Sequence, residues 1–208
     1  MLDIEIITAP TKTALDIVSL DEFARHLRLS PTLRNNATWI DNMTDALNES
    51  VDRLHGLSGE LNRMVLPCTV KRYLSSFPGQ GKPIYLPYPD LIYFDAVTIE
   101  DGSSPPNNLD PASYIVKKNT LVPEVYAVGS WPLATSGPRA VSVTYTAGYQ
   151  EFPYRLKRMV KTLAAHMIEN PDGSINEPRQ MAINRKIEYG IETDRTALRV
   201  PLSFDDYL

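Results

Sequence analysis

Twelve of the 17 prolines fall between Pro67 and Pro153. No long helix tolerates that density, because an interior proline removes a hydrogen bond and clashes with the turn before it. The region therefore reads as β structure. Short strand-like runs, "TVKRYLSSF", "PIYLP", "IYFDAVTIED", "SYIVKK" and "AVSVTYTAG", are separated by turn-rich segments such as "DGSSPPNNLDP". In the last run Val141, Val143 and Tyr145 alternate with Ser142 and Thr144, the pattern of a half-buried strand. The expectation is a small antiparallel β unit over 67–150, inserted between helices.

Helical patterning lies on either side. "SLDEFARHLRL" opens with Ser19 as N-cap and Glu22 three positions on, the reciprocal capping spacing, and Leu20, Phe23, Ala24 and Leu27 form its apolar face. From Ile40, apolar residues at Met43, Leu47, Val51, Leu54, Leu57, Leu61 and Val65 recur in steps of three and four. They predict one helix of about 25 residues, with Gly56 and Gly59 as weak points. The first nine residues read as a short strand or an arm, and "PTKTALDIV" as linker. After Pro153, Leu156, Met159, Val160, Leu163 and Met167 share one helical face, and Arg155, Lys157, Arg158 and Lys161 lie largely on the other. Asn170-Pro171-Asp172-Gly173 stops that helix, and the polar remainder lacks a clean period. The predicted class is thus α+β: a helical domain of long amphipathic helices, an inserted antiparallel β unit and an extended C-terminal tail. The predicted boundaries are 1–66 for the arm and helices, 67–150 for the β unit, 151–170 for the closing helix and 171–208 for the tail.

Composition removes several classes of function. The net charge of −4 argues against a general affinity for polyanions, so a DNA-binding face would have to be local. The single cysteine, Cys68, cannot form an intrachain disulfide or a thiolate metal cluster within one chain. "MLDIEIITAP" lacks the basic and apolar runs of a secretion signal, and no stretch is apolar enough to span a membrane. A soluble protein, intracellular or carried in a virion, is expected.

Residues that could carry chemistry do not converge. "VTYTAGYQEFPYRLKRMV" runs from strand through glycine and proline into a basic helix, the order of a phosphate cradle. Yet Gly148 is the only glycine of that stretch, and Tyr149, Glu151 and Phe152 occupy the turn. The stretch reads as scaffold, with Gly148 at positive φ and Pro153 starting the helix. His26, His55 and His166 fall on separate helices, Cys68 has no fixed base beside it, and no serine stands in a nucleophile motif. No catalytic, cofactor or metal site is expected. A rival reading is a helix-turn-helix DNA-binding regulator, in which "SPTLRNN" is the recognition helix and Arg34, Asn35 and Asn36 touch the nucleic acid. A third is a monomeric β-type module that binds a ligand or glycan through 67–150.

The order of segments resembles the head–tail connector (adaptor) proteins of long-tailed phages and gene transfer agents. The likeness runs through "SLDEFARHLRLS", "GLSGELNRMVLPCTVKRYLSSFPG", "PIYLPYPDLIYFDAVTIEDG", Trp131-Pro132 and "VSVTYTAGYQEFPYRLKRMVKTLAAHMIEN", covering residues 19–170 in order. "YTAGY" before a proline-started helix is the most specific of these; Pro171 stands where the family often has arginine. The resemblance implies a non-enzymatic virion protein at the head–tail junction, made in the host cytoplasm. About twelve copies would form a ring beneath the portal, continue the DNA channel and dock the stopper or tail; such a ring needs two different complementary faces per subunit. The resemblance gives two residue sets a task. Leu202, Phe204, Tyr207 and Leu208 are apolar anchors on a polar tail, suited to docking on the portal. Arg155, Lys157, Arg158 and Lys161 could line the channel and make weak, salt-dependent contact with passing DNA.

Overall fold

The computed structural model describes residues 3–56, 59–79, 81–102, 107–118, 122–133, 137–169 and 191–199. The chain divides into two units. One joins Met1–Thr11 to Leu66–Gln150, and the other joins Lys12–Val65 to Glu151–Val200.

The first unit is built from two antiparallel sheets. Five strands, β1 (Asp3–Thr8), β2 (Cys68–Leu74), β4 (Leu91–Ile99), β5 (Asn107–Asn108) and β8 (Val141–Ala147), pair in the order β1-β2-β8-β4-β5. Three shorter strands, β3 (Ile84–Tyr85), β6 (Tyr114–Lys117) and β7 (Glu124–Ala127), pair in the order β3-β7-β6. Period-two alternation on β8 decides the inner face of the larger sheet. Val141, Val143, Tyr145 and Ala147 are completely buried, and across β2 they face Leu74, Arg72, Val70 and Cys68. Removing a valine-sized side chain from water contributes about 1.5–3 kcal/mol, so this face holds the unit together. Ile84, Tyr114 and Val125 are the buried residues of the smaller sheet, with Leu86 buried just beyond β3, and the rings of Phe94 and Tyr114 lie 5.5 Å apart, one from each sheet. On the outer face, the Thr69 and Thr146 hydroxyls meet at 3.0 Å, and Glu100 takes Lys71 at 2.6 Å and the Ser142 hydroxyl at 2.5 Å.

The second unit is helical. Short helices α1 (Ala14–Ile17), α2 (Leu20–His26) and α3 (Pro31–Arg34) precede α4 (Ala37–Leu54), against which α5 (Tyr154–Glu169) packs. Met43, Ala46, Leu47, Val51 and Leu54 of α4 are buried, as are Leu156, Met159, Val160, Leu163 and Ala164 of α5.

This architecture corrects the predicted fold class while leaving it α+β. Long helices do not dominate: the longest among the described residues is α4, with 18 residues. It stops at Leu54 because Gly56 takes φ +81°, and Gly59 approaches so closely that a Cβ there would sit 2.4 Å from the His55 carbonyl oxygen. Leu61 and Val65 are fully buried, as the apolar spacing predicted, but the chain reaches the core through a tight turn. The β portion is likewise two sheets instead of one small insertion, and β1 is a full strand of the larger one. "PTKTALDIV" is no linker. Its Asp16 carboxylate accepts from the Thr13 N–H at 2.7 Å to start α1, and Ile17 and Val18 are fully buried. The tail is not uniformly extended, since residues 191–198 are helical.

Candidate interaction surfaces

The basic face of α5 separates into two pairs. Arg158 grips Asp194 with two parallel hydrogen bonds, 2.8 Å from Nε and 2.5 Å from a terminal nitrogen. Asp194 is almost wholly buried, so its charge is held by that fork, which matches a carboxylate in plane. Ile191 is buried on the same short helix, and Arg195 reaches Glu60 at 2.8 Å. Together these contacts dock residues 191–198 on the helical unit. Lys161 donates to Glu22 at 2.7 Å. Glu22 therefore serves a long-range ion pair, while Ser19 caps α2 through its own hydroxyl, which accepts from the Glu22 N–H at 3.2 Å. Arg155 is exposed and Lys157 half-buried. Neither takes part in an ion pair among the described residues. Leu202, Phe204, Tyr207 and Leu208 lie outside the described residues.

The "SPTLRNN" segment does not form a recognition helix. α3 is a single turn of four residues, and Asn36 is the N-cap of α4, accepting from the Trp39 N–H. Arg34 is engaged at home: its Nε donates to the Leu29 carbonyl at 2.9 Å, and it stands 3.6 Å from Asp21. A shallow groove of about 320 Å³ lies between α2, α3 and α4, with Leu20, Ala24, Ile40 and Met43 on its floor and Asp21 and Arg34 at its rim.

The turn after β8 is a tight structural corner. Gly148 has φ +132°, and its N–H donates to the Asp90 carbonyl at 3.2 Å. A Cβ there would lie 2.7 Å from the Leu66 carbonyl oxygen and 2.8 Å from the Pro67 Cα. α5 begins at Tyr154, with the Pro153 carbonyl accepting from Lys157 at 3.1 Å. Sequence reasoning did not foresee that two of the resembling motifs would meet. Trp131 of "WP" stacks on Phe77 of "FPG" with ring centroids 5.1 Å apart and donates its indole N–H to the Lys82 carbonyl at 3.1 Å.

Burial is the leading cause of the shift at several groups. Cys68 is buried, and desolvation pushes its thiol up to about 11. The same cause raises Tyr88 and Tyr145. His26 and His55 are lowered, first by burial; for His26 the Lys161 charge adds to this, while Asp52 opposes it at His55. His55 has a structural task, because its Nδ1 accepts from the Val65 N–H at 3.1 Å and closes the turn after α4. Among the described residues no group of three or more acids, histidines and cysteines is arranged to hold a metal, and no helix is long and apolar enough to cross a membrane.

The chain is a mixed α+β fold of two units, each with ion pairs of its own. No family model and no curated protein matches the sequence. Solved structures do. A chain from the neck of an empty gene transfer agent (GTA) particle, computed with C6 symmetry, superposes with a TM-score of 0.71 at 18% identity, over 96% of each chain. A chain of the native GTA virion gives 0.64 at 18% identity over 95% of each, and one from the native GTA neck computed with C12 symmetry gives 0.61 at 20% identity over 97% and 96%. This chain shares their fold along nearly its whole length.

Proposed function

We propose that this chain is a structural protein of a phage-like particle, placed at the head–tail junction as a ring-forming adaptor beneath the portal. The observation that carries the reading is the near-complete overlap in fold with neck chains of GTA particles, 96% of each chain at a TM-score of 0.71. The segment resemblance over residues 19–170 points the same way. About twelve copies would close a heterologous ring, as cyclic head-to-tail contacts require. The ring would continue the DNA channel and give the stopper or tail a platform. Arg155 and Lys157 are the better candidates for contact with passing DNA, because Arg158 and Lys161 are already paired with carboxylates. Such contacts are phosphate-directed and salt-sensitive, as sliding DNA demands. Leu202, Phe204, Tyr207 and Leu208 are the proposed portal anchors.

The test is a binding experiment with a purified portal assembly from the same genome, read by mass photometry. The expected result is a complex that gains about one copy per portal subunit. Truncation after Arg199 is expected to weaken that complex while leaving cooperative melting intact. A chain that never joins the portal overturns the reading, and loss of cooperative melting on truncation places the last residues in the core.

A further inference from the structure

Arg72 carries a charge that no described residue answers. It lies on β2 in the cross-strand row Ile4–Arg72–Val143, beside the row Ile6–Val70–Tyr145, on the face the larger sheet turns to its core. The residue is 7% exposed, and its Nε is sealed from solvent without an acceptor. Among the described residues no carboxylate pairs with it. The Tyr145 phenol is close enough to be felt, but burial raises that group and keeps it neutral. An arginine cannot shed its proton to escape, and a buried cation without a partner is strongly unfavourable. Cover over this face also thins toward β1: Val70, Val143 and Tyr145 are fully buried, Ile4 is half-buried and Ile6 is 52% exposed. The corner therefore suits a segment that brings a carboxylate with apolar side chains beside it.

Charge selects that segment. Two stretches outside the described residues carry acids. In 170–190, Asp172, Glu177 and Glu188 are balanced by Arg179, Arg185 and Lys186, whereas in 200–208 Asp205 and Asp206 stand without any base. Phe204 and Tyr207 flank that acidic pair and match the apolar side of the corner. Extended, nine residues reach about 30 Å, the diameter of a small domain. We propose that 200–208 returns to the β unit of its own chain, setting the Asp205–Asp206 pair on Arg72 and laying Phe204 and Tyr207 over Ile4 and Ile6. The guanidinium takes a carboxylate through parallel charge-assisted hydrogen bonds, and the aromatic rings shield the pair from water. The same tail residues are the proposed portal anchors; this seat belongs to a subunit that has not met the portal, and its test uses no portal.

Melting of the full-length chain provides that test through an asymmetry. Asp205→Ala with Asp206→Ala strands Arg72, so Tm should fall by about 2–6 °C. Arg72→Met replaces the cation with an apolar chain and releases the acids to water, so it should melt at or above the wild type. Adding the two aspartate changes to Arg72→Met should then have no further effect. Chymotrypsin cleavage at Phe204 and Tyr207 should speed roughly 10-fold in either variant, at a rate independent of protein concentration. A double-aspartate variant that melts and is cut like the wild type overturns the seat. So does an equal fall in Tm when its changes are made on Arg72→Met. A fall in Tm for Arg72→Met alone, with the aspartate variant unchanged, assigns Arg72 to the packing of the sheet and overturns it too. Cleavage that slows as the protein is concentrated places the tail on a second copy and overturns the return to its own chain.

Discussion

Gly148→Ala is the sharpest test of the claim that the corner after β8 is structural. At φ +132° the backbone sits where residues with a side chain are rarely found, and holding one there costs about 1–3 kcal/mol. The added methyl would also meet the Leu66 carbonyl oxygen at 2.7 Å and the Pro67 Cα at 2.8 Å. Both are backbone atoms that no rotamer change can move, so overpacking adds about 1–3 kcal/mol more. The sum, about 2–6 kcal/mol, is a large fraction of the 5–15 kcal/mol that typically separates folded from unfolded states. For a chain of this size each kcal/mol moves the midpoint by about 2–4 °C, so a mid-range loss of about 4 kcal/mol lowers Tm by roughly 8–16 °C. Gly137→Ala is the matched control, since a Cβ there meets nothing within 4 Å and the glycine is not at positive φ; its Tm should hold or rise slightly. Calorimetry and urea titration of both variants make the comparison. A Gly148→Ala protein that melts with Gly137→Ala would show that the corner relaxes freely, and the scaffold argument would fail at its best-defined point.

The His55 hydrogen bond predicts a pH dependence. Burial lowers the folded imidazole below its ordinary value near 6.5, so the unfolded chain binds the proton more readily, and stability is full above about pH 6.5 and declines as pH falls below it. His55→Asn should reduce the difference in urea midpoint between pH 7.5 and 5.5, His26 supplying a remainder of the same sign; an unchanged slope would show that His55 does not couple to folding. Arg158→Ala should free the 191–198 helix by stranding the buried Asp194 carboxylate. With the arginine half exposed, the loss is about 1–2 kcal/mol. Amide exchange over 191–199 should then accelerate roughly 5- to 30-fold, with α4 unaffected, and protection that survives would assign the docking to Ile191 and the Arg195–Glu60 pair.

Much of the fold was legible where one residue pattern sufficed to place an element. β8 declared itself through alternation, and α5 through its apolar face. β7 did not, because Val125 is the one fully buried residue of its four and its neighbours give no period. β1 could not be assigned from its own residues, since its partner β2 lies some sixty positions on and the pairing makes it a strand. The error at α4 is instructive. Leu61 and Val65 continue the helical spacing because a compact turn returns the chain to the same core. The glycines that permit the turn looked only like mild helix weaknesses. The basic face of α5 was visible, but its pairing was not, for Arg158 finds its acid 36 residues away and Lys161 finds its own 139 away. Sequence periodicity reports which face is polar and says nothing about which charges will be answered across the fold.

That pairing bears on function more than any single residue does. In the β unit, Asp3, Glu5 and Glu100 are engaged by Arg139, Tyr73 and Lys71; in the helical unit, Glu22, Glu60 and Asp194 are engaged by Lys161, Arg195 and Arg158. The most strongly shifted groups, Cys68, Tyr88 and Tyr145, are driven by burial toward their neutral forms, whereas a nucleophile or base must be activated near neutral pH. These charges are answered within their own unit. Among the described residues, Arg155 and Lys157 on α5 stand outside these ion pairs. The proposed ring would need two different complementary faces per subunit, and these answered charges would leave each unit stiff enough to present them.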